Sequence, residues 1–98
     1  MIDHNKWAGM SLVEQMGNIG SEVGRAIASR DDPIRRDGAI ERALDLFSAT
    51  AECYSGLRLR EILRARDEFL RLFYDGSQDF AEIEKYFQYF ALAARHGR

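Results

Sequence analysis

The sequence predicts an all-α protein, an up-down-up-down four-helix bundle. Three observations carry this. Apolar residues recur at helical spacing in four separate stretches. The 98 residues contain a single proline. No stretch of any length alternates apolar and polar residues as a half-buried strand would. Residues 10–98 are read as one domain, the common size for a single core, preceded by a flexible leader at residues 1–9, "MIDHNKWAG".

The first predicted helix opens at Ser11, followed three residues later by Glu14 in the pattern of a capping box. Leu12, Met16, Ile19, Val23 and Ile27 then form its core stripe. In "RDDP", Asp32 is the expected N-cap of the second helix and Pro33 its first residue. That helix is expected to bury Ile40, Leu44, Phe47, Ala51 and Tyr54, and to break in "YSG" at Gly56. The third carries Leu59, Ile62, Leu63, Phe69, Leu70 and Phe73, with Gly76 as C-cap. Ser77 or Asp79 is expected to cap the fourth. Its inward stripe is Phe80, Ile83, Phe87, Phe90 or Ala91, and Ala94; Gly97 stops it, with Arg95 and His96 near the negative end of the helix dipole. Short links between such helices favour antiparallel neighbours.

Three features exceed what a bundle needs. Gly17, Gly20 and Gly24 lie on one side of the first helix. Together they forgo roughly 3 kcal/mol of helix propensity relative to alanine, so the bare strip should let another backbone approach, within the chain or from a second one. Arg66 stands at the centre of the third helix's apolar face as Leu59, Ile62, Phe69 and Phe73 define it. A buried charge needs a partner; Asp45, Glu52, Glu22 and Glu84 are candidates, with Glu84 preferred, unless Arg66 extends to water or binds an anion. On the last helix, Tyr86, Tyr89, Phe90 and Leu92 extend the apolar surface beyond one stripe. A second copy of the chain is the expected cover, and the leader with Trp7 and Met10 the alternative.

Composition narrows the function classes. A net charge of −2 gives no global attraction to nucleic acid. One cysteine, Cys53, forms no internal disulfide, and no metal or cofactor is expected. His4 and His96 stand at opposite ends of the chain, so no catalytic constellation forms. Glu61, Asp67 and Glu68 interleave with Arg58, Arg60, Arg64 and Arg71, as on a solvated salt-bridged face. No signal peptide or long apolar run is seen, so a cytoplasmic protein without membrane attachment is expected.

With "MSLVEQMGNIGSEVGRAI" and "EKYFQYFALAAR" at its two ends, the chain over residues 10–96 resembles a group of short prokaryotic helical proteins, loosely similar to HEPN-type bundles. That resemblance implies RNA association in toxin–antitoxin pairs. The defining arginine, four to six residues before a histidine, is absent before His96, so no residue role is carried over. The expected function is a homodimeric, non-catalytic interaction or regulatory module; an RNA-associated protein and a small-anion binder using Arg66 are the alternatives.

Overall fold

The capping signals become helix starts. Ser11 and Glu14 form a reciprocal box: the Glu14 N–H donates to Ser11 Oγ at 3.1 Å and the Ser11 N–H to Glu14 Oε1 at 3.0 Å. Asp32 caps the N–H of Arg35 at 3.3 Å, with Pro33 in the first turn, where its missing donor is harmless. This computed structural model describes residues 2–75 and 80–96, without the side chains of residues 91 and 93–96. The elements are α1 (His4–Ala8), α2 (Leu12–Ala28), α3 (Pro33–Ala51), α4 (Gly56–Tyr74) and α5 (Phe80–His96). There is no strand among the described residues. The caps expected at Gly76, Ser77, Asp79 and Gly97, and the side chains of Ala91, Ala94, Arg95 and His96, lie outside the described residues.

The leader departs from expectation. Asp3 accepts from the Lys6 N–H at 3.1 Å and starts the short helix α1. Trp7 is buried, and its Nε1–H donates to Thr50 Oγ1 on α3 at 2.9 Å. Gln15 Nε2 in turn donates to the Trp7 carbonyl at 2.8 Å. A large apolar ring with one polar atom gains most where both needs are met, and the α2–α3 seam meets both. Residues 3–9 are therefore a docked element rather than a loose leader.

The core is built where α2, α3, α4 and α5 converge on Ile19, Val23, Ala43, Phe47, Ile62, Phe69 and Phe87. Phe47 lies 6.1 Å, ring centre to ring centre, from both Phe69 and Phe87, the latter edge-on. Such tilted and edge-to-face pairs suit the ring quadrupoles. The run continues outward from Phe87 to Tyr86 and on to Phe90, at 5.1 and 5.3 Å. An unbroken chain of rings thus leads from the centre of the molecule to its surface.

Two boundaries shift. Helix α3 ends at Ala51, so Tyr54 sits beyond the helix, half-buried in the α3–α4 connection. Gly56, expected to break the helix, instead begins α4 with φ of +64°, a conformation that side chains disfavour. On α4 the buried line is Ile62, Ala65, Phe69 and Leu72, one residue round from the expected face. Small Ala65 takes the central seat, and Arg66 falls to the flank of the core.

Candidate functional site: the outer face of α5

The α2–α5 seam sets the position of α5. A Cβ placed on Gly20 would lie 3.0 Å from Phe87 Cβ and 3.2 Å from the Phe87 carbonyl oxygen. The missing side chain is what admits the α5 backbone. Gly17 is buried, whereas a Cβ on Gly24 would meet nothing within 4 Å. The centre of the glycine strip therefore packs within the chain.

With Phe87 turned to α2 and α3, helical rotation carries Tyr86, Tyr89 and Leu92 to the outside. Phe87 is 1 % exposed, against 43 % for Tyr86, 73 % for Tyr89 and 51 % for Leu92. Phe90 is half-buried against the core. The leader leaves Tyr86 and Tyr89 exposed, and its Trp7 is committed to Thr50 and Gln15.

Between α4 and α5 lies an open cleft of ≈ 400 Å³. Ala65, Ile83, Phe87 and Tyr86 supply its apolar surface; Glu61, Arg64, Glu68 and Glu82 supply its polar surface. Tyr86 also walls a second hollow with Glu82, Lys85 and Tyr89, and a third with Leu12, Met16, Ile62 and Phe90. This one ring is the divider between three depressions. Burial pushes its phenol above the ordinary 10.0, the Glu61 carboxylate adds to the rise and Arg64 opposes it. At neutral pH the hydroxyl keeps its proton and serves as hydrogen-bond donor and acceptor.

The expected Arg66–Glu84 pair does not form. Arg66 Nη2 lies 3.6 Å from Asp67 Oδ1, its neighbour in sequence, and Arg66 remains 38 % exposed at the side chain. Glu22, another candidate partner, pairs instead with Arg25 and Arg42. Arg66 lines none of the clefts at α5. No cluster of three or more histidine, cysteine, aspartate or glutamate residues among those described could hold a metal ion. No helix among the described residues is long and apolar enough to cross a membrane.

Sequence reasoning missed Gln15, a fully buried polar residue, because it reads as a polar position beside the Met16 stripe. Its amide ties α1 to α2 through the Trp7 carbonyl, while its Oε1 has no hydrogen-bond partner. The α4–α5 cleft was also missed, since it depends on helix spacing that periodicity does not report.

No protein-family profile, curated protein or solved structure matches this chain.

Proposed function

We propose that the chain is a non-catalytic interaction module, an up-down-up-down bundle with an added N-terminal helix, that pairs with a second copy of itself through the outer face of α5. Contacts at the helix ends support the topology. Leu12 and Met16, at the start of α2, share a hollow with Phe90, while Arg30, past the end of α2, lies over the Phe80 ring that begins α5.

The observation that carries the functional reading is the exposure of Tyr86, Tyr89 and Leu92 beside the α4–α5 cleft. Exposed apolar surface of this kind marks contact sites, and tyrosines suit them because ring and hydroxyl are both used. The surrounding charges favour a second copy. Glu82 and Lys85 flank the hollow between Tyr86 and Tyr89, and Glu61 and Arg64 line the neighbouring cleft. A patch with both signs around an apolar centre can face itself across a two-fold axis, each cation meeting the other copy's carboxylate. A chain this short also has limited core of its own, so a buried second face adds to stability.

Gel filtration coupled to light scattering tests this. Two chains per particle are expected, with Tyr89→Glu shifting the species to one chain and leaving monomer unfolding nearly unchanged, because Tyr89 packs little within the protomer. A wild-type monomer over about two decades of protein concentration would defeat the reading.

A further inference from the structure

We propose that the cleft between the end of α2 and the start of α3 is a binding site for a small organic phosphate monoester. The cleft has a volume of ≈ 380 Å³ and is lined by Arg25, Arg35, Arg42, Ser29, Ile34 and small residues that include Gly38. It shares no lining residue with the α4–α5 cleft, so it stands apart from the self-association reading.

Five arginines gather at this corner, and the structure sorts them into two groups. Arg30 donates to the Ile27 carbonyl at 2.8 Å and lies over the Phe80 ring. Arg36 donates to Asp37 and to the Arg30 carbonyl. These two serve the fold. The other three, Arg25, Arg35 and Arg42, line the cleft, and no acidic side chain lines it among the described residues.

Two of the three are positioned from beneath. Glu22 is 7 % exposed, and its carboxylate accepts from Arg25 Nη1 through one oxygen and from Arg42 Nε at 2.9 Å through the other. A buried carboxylate held by two guanidiniums fixes where both planes lie. Each guanidinium keeps further N–H donors for a ligand, since the group carries five. Arg35 is the freest: its closest carboxylate, Asp32, stands at 3.7 Å. Arg42 Nη1 passes close to Gly38, within 3.4 Å of where a Cβ would stand.

Three guanidiniums against the two carboxylates of Glu22 and Asp32 leave one net positive charge. Planar guanidinium forks match the oxygens of a phosphate, and a dianion with three terminal oxygens satisfies them better than a single carboxylate. Ser29 lies among the lining groups as a further hydroxyl donor. The organic part has a seat as well. Ile34 is 87 % exposed at the mouth, next to Ala28 and Ala39, and an isoleucine so placed gains by covering an apolar ligand group.

The test uses the full chain at low ionic strength, where exposed charges are least screened. Phenyl phosphate, inorganic phosphate and benzoate are titrated, and backbone amide shifts of Ser29 and Gly38 are followed by nuclear magnetic resonance. Phenyl phosphate is expected to saturate and to bind about tenfold or more tightly than benzoate, as a further charge-assisted contact implies. Inorganic phosphate is expected to fall between the two. Arg42→Met takes a partner from buried Glu22 and endangers folding, so Arg35→Met carries the test. It should weaken phenyl phosphate about tenfold, and Arg42→Lys, which keeps charge but loses the fork, should weaken it also. Arg60→Met, at an exposed position of α4, should leave binding unchanged. Shifts that never saturate, equal response to benzoate, or equal weakening by Arg60→Met would each overturn the site.

Discussion

Helix α5 meets α2 on one side and α4 on another, and the two seams differ in kind. At the α2 seam a glycine faces a backbone: Gly20 lets Phe87 come so close that even one methyl would crowd it. At the α4 seam, Glu61, Arg64, Glu68, Glu82 and Tyr86 project from the facing surfaces and an opening of ≈ 400 Å³ remains. Close packing gains dispersion energy along its whole length; a seam edged by ionised side chains keeps them hydrated instead. The lesson is that one helix can be anchored by a side-chain-free strip on its inner side while its outer side stays open to solvent. Rigidity and availability are then properties of the same element, assigned to different faces.

This contrast can be broken experimentally, and the largest effect belongs to the closed seam. Phe87→Ala should cost about 3–5 kcal/mol, since the ring is fully enclosed and touches Phe47 edge-on; urea unfolding followed by circular dichroism measures it. A loss below about 1 kcal/mol would mean that the seam relaxes freely and that α5 is not anchored there. Gly20→Leu comes next, at about 1–3 kcal/mol or more through overpacking against the α5 backbone. Its counterpart sharpens the point. Gly24→Ala should stabilise by about 0.8–1 kcal/mol, because the new methyl meets open space and the helix gains propensity. If both glycine variants moved the midpoint in the same direction, the difference between the two positions would disappear.

The smallest effect belongs to the open seam and depends on pH. With its phenol raised by burial and by Glu61, Tyr86 holds its proton more tightly folded than unfolded. Its contribution is whole below pH 10, the unfolded value, and is lost as pH rises through the higher folded value. Stability should therefore fall above pH 10 more steeply in the wild type than in Tyr86→Phe, as alkaline unfolding titrations would reveal. Parallel curves would remove Tyr86 from the account.

Much of the fold was legible because its signals are local. The Ser11–Glu14 box, the Asp32–Pro33 start and the α2 stripe from Met16 to Ile27 each depend on residues within a few positions of one another. The errors came where distant residues decide. Trp7 reads as part of a loose leader until Thr50 and Gln15 are seen to accept and fix it. Arg66 reads as central on α4 because Leu59 and Phe73 look like core positions, yet both are only partly buried and Ala65 and Leu72 take the inner seats. Small residues contribute little to an apolar pattern, so a face built around alanine is read one position off. At the site itself, the outward turn of Tyr86 and Tyr89 followed from rotation alone. The α4–α5 opening did not, since inter-helix distance depends on side chains that face each other from separate parts of the chain. The cleft between α2 and α3 escaped notice for a related reason: Arg25, Arg35 and Arg42 are far apart in sequence, and only the fold brings Arg25 and Arg42 together on the buried Glu22.

The chain carries one tryptophan, and the fold places it on the five-residue α1 with its indole seated on α3. Tryptophan fluorescence, excited at wavelengths that the four tyrosines do not absorb, is therefore a gauge of the amino-terminal segment, while far-ultraviolet ellipticity is governed by the four long helices. Heating the protein under both optical signals separates release of that segment from melting of the bundle, with no label or substitution required.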